Sequence, residues 1–172
     1  MKETKKSKKK LKKKSKPKSK DTKIYKAKEL RRLMKKCYTL WSQVVRKRAG
    51  NRCEFGEFYG TPCSAGFLNA HHIEDKRNKA LRFEPANGLC GCPGHHKFYD
   101  ESGHKSFVSV YKYMSQKRLA DMLYLIDHVR DKVELTKEYL EGKVLVFEGE
   151  LNSNPNFKAT GQEKCYRFCI EA

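Results

Sequence analysis

Between Cys53 and His104 the chain concentrates the residue types that bind metal ions or move protons. Cys53, Cys63, Cys90 and Cys92 share this stretch with His71, His72, His95 and His96, and His104 follows shortly after. Thiolate sulphur and imidazole nitrogen are the donors of closed, tetrahedral zinc sites, and a neutral imidazole also accepts a proton near neutral pH. Cys92-Pro-Gly-His95 has the spacing of a metal knuckle. The preceding half of such a site is irregular, because Gly56 stands where a Cys-x-x-Cys pair beginning at Cys53 would place its second thiol. The next thiol is Cys63, reached across a loop containing Gly and Pro, so the expected zinc ligands are Cys53, Cys63, Cys92 and His95. Cys90 is an alternative, although its Cys-x-Cys relation to Cys92 is awkward around one ion. The outlying Cys37, Cys165 and Cys169 have no His close in sequence and read as buried or free thiols. With seven Cys in all, an odd count, and no apolar leader stretch, a disulfide framework is the weaker expectation.

Adjacent residues on a strand face opposite ways, so His71 and His72 are expected to do different jobs. Three segments then carry a resemblance: Ala70-His71-His72-Ile73, Leu81-Arg82-Phe83-Glu84-Pro85-Ala86-Asn87-Gly88, and Cys92-Pro-Gly-His95-His96-Lys97-Phe98, with His104 behind them. Together they resemble the HNH endonucleases, in the zinc-stapled form common in bacteriophages and mobile elements. The resemblance runs from about Leu40 to Met114. It implies a β-hairpin followed by a helix, arranged around a catalytic divalent ion. By motif position it implies His72 as general base and His71, His96 and His104 as ligands of that ion, which would be Mg²⁺, Mn²⁺ or Ni²⁺. Asn87 takes the place of the motif's Asn, which holds the hairpin turn and orients the base. Phosphodiester hydrolysis needs an activated water, charge compensation at phosphorus and help for the departing oxygen; a base and a cation supply these.

These groups need elements to position them. Apolar residues at spacings of three and four predict a helix over 24–48, stopped by Ala49-Gly50-Asn51. Phe67 to Ile73 reads as a strand, Leu81 to Phe83 as a second strand running into a turn, and His96 to Phe98 as the opening of a helix or an irregular turn. Helices are expected at Phe107 to Met114 and Leu119 to Val129. In the second, Leu119, Met122, Leu123 and Ile126 form a stripe read as core. Val133 to Leu140 continues as helix, and Lys143 to Glu148 is strand or helix. The expected fold is α+β: a small ββα-metal (HNH) core stapled by zinc, flanked by helices, with a disordered Lys-rich N-terminal tail. The expected divisions are a basic tail at 1–23, a helical lead-in at 24–48, the metal core at 49–107, a helical extension at 108–151 and a loose tail at 152–172.

The chain is 172 residues long and carries a formal net charge of +19, of which Met1 to Lys20 alone supplies twelve Lys against Glu3. Such a stretch has too little apolar surface to offset the entropy of ordering. It suits a polyanion or simple solvation equally. No apolar run approaches the roughly 20 residues that cross a bilayer, so a membrane partner is not expected, and without a leader stretch the expected location is cytoplasmic, in the host if phage-encoded. Lys76, Arg77, Lys79 and Arg82 lie between the His pair and Asn87, where they could contact double-stranded DNA, with Arg82 on the scissile phosphate. Two other classes remain open: a noncatalytic zinc module that binds nucleic acid, and a basic RNA-associated protein with a zinc knuckle.

Overall fold

A computed structural model describes residues 19–153, and the calls on Cys165, Cys169, residues 1–18 and the tail beyond Ser153 lie outside them. Helix α1 spans Ser19–Arg48, so it begins inside the segment read as tail. Its apolar spacing converges on Cys37, Trp41, Val44 and Val45, which are fully buried. Gly50 ends it in the left-handed region at φ 61°, where the amides of Gly50 and Asn51 return to the carbonyls of Lys47 and Arg46. Arg46, Lys47 and Arg48 in the last turn suit the negative end of the helix dipole.

Beyond it come α2 (Glu54–Tyr59), β1 (Asn69–His72), β2 (Gly88–Gly91), α3 (Phe107–Lys117), α4 (Leu119–His128) and α5 (Lys137–Asn152). The strands pair antiparallel, His71 opposite Leu89 and His72 opposite Gly88. Helix α5 runs beside α1 in the same direction, tied by Lys137 to Glu29 at one end and by Lys47 to the Glu150 carbonyl at the other. Leu140, Val144 and Phe147 on α5 join Trp41, Leu81, Phe83 and Leu89 in one apolar core. No helix among the described residues is long and apolar enough to cross a membrane.

Several expected elements move. Leu81 to Phe83 is a turn rather than a strand, because the Asn78 side-chain oxygen accepts from the amides of Ala80 and Leu81 and bends the chain there. Its apolar alternation reflects burial of Leu81 and Phe83, not pairing. The second strand lies later, immediately after Asn87. Strand β1 stops short of Phe67 because its partner is only four residues long, ended by the Cys92-Pro93 turn. Helix α5 starts at Lys137 rather than near Val133, since Thr136 is extended and its hydroxyl caps the Tyr139 amide; Lys143 to Glu148 is therefore helical. On α4 the core residue is Leu125, while Leu119, Leu123 and Ile126 are at least half exposed. Of that stripe Met122 is partly buried against the core, and the other three residues face outward.

A two-stranded hairpin is marginal alone and leaves an open edge. Here an ion pair closes it. Glu54 accepts from the Cys90 amide at 2.6 Å, and Arg118 donates to the Gly88 carbonyl at 2.6 Å and approaches Glu54 at 3.4 Å. Tyr113 donates to the same carboxylate at 2.8 Å, and Asp121 holds the other side of Arg118 at 2.6 Å. Arg118 and Glu54 are each only 13% exposed, so removing one partner leaves a mostly buried, uncompensated charge. Arg118→Ala is expected to cost about 3 kcal/mol in urea unfolding; an unchanged midpoint would show that the clamp contributes nothing.

Candidate metal centres

Cys92 and His95 leave the end of β2 and enter a single π-turn, Gly94–Phe98. This widened turn, closed by the Tyr99 amide on the Gly94 carbonyl at 2.9 Å, stands where a longer helix would follow the hairpin. It delivers His95 and His96 to different partners. The ligand atoms of Cys53, Cys63, Cys92 and His95 all lie within 4.8 Å of one another, as do those of His71, His96 and His104. The first is the thiolate set assigned from the sequence, and the second is the imidazole set that the resemblance implies. Cys90 belongs to neither: it is buried on β2, opposite Ala70.

In the thiolate group, His95 Nδ1 lies 3.1 Å from Cys92 Sγ and 3.6 Å from Cys53 Sγ. Ligands of a tetrahedral zinc ion, at about 2.3 Å for sulphur and 2.0–2.1 Å for nitrogen, stand about 3.5 Å apart. The hydrogen bond from Cys53 drives the Cys92 thiol toward thiolate, helped by His95 and Ser64 and opposed by burial. The same shared proton holds the Cys53 thiol well above its ordinary range. The Cys92 amide also donates to Cys53 Sγ at 3.3 Å, which favours a sulphur anion there. A divalent cation would replace the shared proton, and the donor set fits structural zinc.

The irregular half of the site has a steric explanation. A Cβ built on Gly56 would overlap the Cys63 sulphur. Cys63 arrives from the loop into the space that a side chain at position 56 would fill, so Gly at 56 is the condition for Cys63 to reach the group. Two residues missed by spacing complete it. Ser64 accepts from the Gly94 amide at 2.6 Å, and Glu101 lies 3.7 Å from the outer nitrogen of His95. A carboxylate behind a ligating imidazole fixes its tautomer, although nothing in the sequence marks Glu101 for that role.

In the imidazole group the Nε2 atoms of His96 and His104 are 3.2 Å apart, near the about 3.4 Å expected for two nitrogens on one tetrahedral zinc-like ion. His71 faces both, with ring centroids 5.4 Å and 4.8 Å away. Burial, then the neighbouring His104, His96 and His72, pushes the His71 pKa down to about 4. Burial also lowers His96, with His104 and Lys97 adding to it. Neutral imidazoles are the form that binds metal. Three nitrogen donors suit Ni²⁺ or Zn²⁺ better than Mn²⁺ or Mg²⁺, which prefer oxygen.

His72 projects away from that group. Its ring stacks on Trp41 at 4.0 Å and 14°, and its Nε2 lies 2.9 Å from the Arg82 carbonyl. A carbonyl only accepts, so Nε2 carries the hydrogen and Nδ1 is left basic. Burial is the largest influence on His72 and lowers its pKa, against the Arg82 carbonyl, which raises it; the charges of Arg82 and Lys76 lower it further. Fully buried Asn87 fixes the loop that supplies this carbonyl: it accepts from the Glu74 amide at 2.6 Å and donates to the Glu74 and Leu81 carbonyls at 3.1 and 3.0 Å. Trp41 adds a third tie, donating to the Glu84 carbonyl at 2.9 Å. Of the basic residues expected at a DNA interface, Lys76, Arg77 and Lys79 are exposed and Arg77 is paired with Asp75 at 3.1 Å. Arg82 is partly buried, its guanidinium 5.5 Å over the Phe83 ring and its Nε without a hydrogen-bond partner among the described residues. Cys37, far along α1, donates to the Leu140 carbonyl at 3.2 Å and takes no part in either group.

No family model, no curated protein and no solved structure matches the chain.

Cys63→Ser is expected to lower the melting temperature in the presence of zinc, and adding Gly56→Cys to recover part of the loss; a Cys63→Ser protein that melts like the parent would remove Cys63 from the site. A pH dependence also follows. The unfolded chain protonates His71 near the ordinary 6.5, the folded chain only near 4, so between these values the unfolded state binds more protons. Stability is fully present above that window and falls as pH drops through it. Urea midpoints measured across it should decline, and less steeply in His71→Gln; identical slopes would contradict this.

Proposed function

We propose that the chain is a metal-dependent endonuclease of the HNH type that hydrolyses DNA phosphodiester bonds. The observation that carries this reading is His72: it stands next to an imidazole ligand group, with one nitrogen committed to a carbonyl and the other left basic. In this reading Nδ1 of His72 takes a proton from the attacking water as its oxygen bonds to phosphorus and the bond to the leaving oxygen breaks. The lowered pKa keeps the ring neutral, and so able to accept that proton, at neutral pH. A divalent ion held by His71, His96 and His104 would supply compensation for the negative charge at the phosphoryl oxygens and leaving group. Zinc on Cys53, Cys63, Cys92 and His95 would be structural, because a closed four-ligand site offers no open position for substrate.

The remaining roles are those of placement. Asn87 acts through the loop: it holds the Leu81 carbonyl, and the next carbonyl, of Arg82, orients His72. Arg82, Lys76, Arg77 and Lys79 surround this loop with positive charge that suits a phosphate backbone, while the net charge of +19 adds sequence-independent attraction. Such contacts position a duplex without selecting a sequence.

A supercoiled-plasmid assay tests the reading. Nicking is expected with Ni²⁺, less with Mn²⁺ or Mg²⁺, and none with excess chelator. His72→Ala should lose about a hundredfold or more in rate while retaining salt-sensitive DNA binding. Asn87→Ala should lose activity together with stability. Binding without cleavage by the parent under every ion would favour the noncatalytic zinc module, and preference for structured RNA in competition would favour the RNA-associated class.

A further inference from the structure

The two ligand groups are joined by more than the adjacency of His95 and His96. The segment after the π-turn folds back on it. The Gly103 amide donates to the His95 carbonyl at 2.9 Å, and the His104 amide to the His96 carbonyl at 3.3 Å. Ser102 is fully buried, its amide on the Tyr99 carbonyl at 3.0 Å, and its own carbonyl accepts from Lys105 and Ser106 at 3.1 and 2.9 Å. Gly103 also lies against His71: a Cβ there would stand 2.9 Å from the His71 ring. The loop that brings His104 to the imidazole group is therefore seated on the backbone of both ligands and on the ring of the third.

Two of its side chains reach the His95 ring: Tyr99 packs edge-on with ring centroids 4.9 Å apart, and the Glu101 carboxylate lies 3.7 Å from His95 Nε2. That nitrogen is fully buried and has no hydrogen-bond partner at ordinary distance among the described residues. His95 Nδ1 faces the sulphurs, so the orientation of its ring sets where Glu101 must stand, two residues before Gly103. We propose that Glu101 is a positioning residue that couples the two groups: a metal ion on Cys53, Cys63, Cys92 and His95 fixes the His95 ring, Glu101 registers the loop on that ring, and the loop places His104 for a second ion. The thiolate group then acts as more than a staple. Its occupancy sets the affinity of the imidazole group. This goes beyond the nuclease reading, since it depends on both groups binding metal and on no reaction.

The test uses the full chain. One equivalent of Zn²⁺ fills the thiolate group, and Co²⁺ titrated afterwards reports on the imidazole group through visible d–d absorption without sulphur-to-cobalt charge transfer. Glu101→Ala is expected to weaken the second ion about tenfold or more, as loss of a partner behind a ligating His does. In Glu101→Gln the amide oxygen still accepts from Nε2–H, and the affinity should stay close to that of the parent. His104→Ala should lose the second ion without change at the first, seen as an intact charge-transfer band when Co²⁺ alone fills the thiolates. If Glu101→Ala loses that band, Glu101→Asp decides, with the band kept and the second ion weakened. A second-ion affinity that is the same in parent, Ala and Asp variants would overturn the coupling, and so would equal weakening by Gln and Ala. A parent that binds no second ion would overturn it too. Cleavage is not read at any point, so failure here is distinct from failure of the nuclease reading.

Discussion

Two adjacent imidazoles, His95 and His96, leave one π-turn for different donor groups, and the arrangement of the chain between Cys53 and His104 follows from that divergence. The turn has to begin where β2 ends, so that Cys92 reaches the thiolates while the hairpin presents His71 to the imidazoles. It has to be short, because the loop after it must return His104 to His96. Little of this region is regular structure, and its apolar contacts come from a few side chains, Phe55, Leu81, Phe83 and Leu89 among them, that reach the shared core. Sulphur and nitrogen donors converging on two points offer a different source of order, because a cation bound there would contribute directly to folding free energy.

Around that centre the helices serve the hairpin. Trp41 of α1 is both a core residue and the surface on which His72 lies, and its indole donates into the same loop that Asn87 holds. Orientation of His72 is thus set from three directions: ring stacking, a carbonyl on its Nε2, and the buried amide that fixes that carbonyl's loop. On the far edge of the hairpin, Glu54 and Arg118 satisfy backbone groups that a third strand would otherwise pair. Charge buried in this way costs desolvation, which the hydrogen bond donated by Tyr113 to Glu54 and the Asp121 carboxylate accepting from Arg118 offset. The result is a two-stranded sheet that needs no further strands.

The thiolate set is legible in the sequence because thiol and imidazole spacing constrains chemistry more tightly than it constrains shape, whereas the imidazole set follows from the family resemblance. Even the irregular Cys53–Cys63 pair could be named, although only geometry shows why Gly56 permits it. Sequence pattern places the second strand too early, because Leu81 and Phe83 alternate like a strand while a turn bent by Asn78 buries them. The α4 stripe misleads for a similar reason: helical periodicity reports an apolar face but not what covers it, and here Met122 meets the core while Leu119, Leu123 and Ile126 remain exposed. Glu101, Ser64 and the Glu54–Arg118 clamp carried no local signal at all. Each acts across a distance in sequence that only the folded chain closes.

The central claim is that this chain holds two ions through donor groups sharing one turn. Native mass spectrometry of the purified full chain, with the metals identified by elemental analysis, tests it most directly. Two ions per chain are expected, one retained in a His71→Ala, His104→Ala double variant and both lost when Cys53 and Cys92 are replaced. A parent chain that folds fully without bound metal, or that keeps the same single ion in both sets of variants, would contradict it.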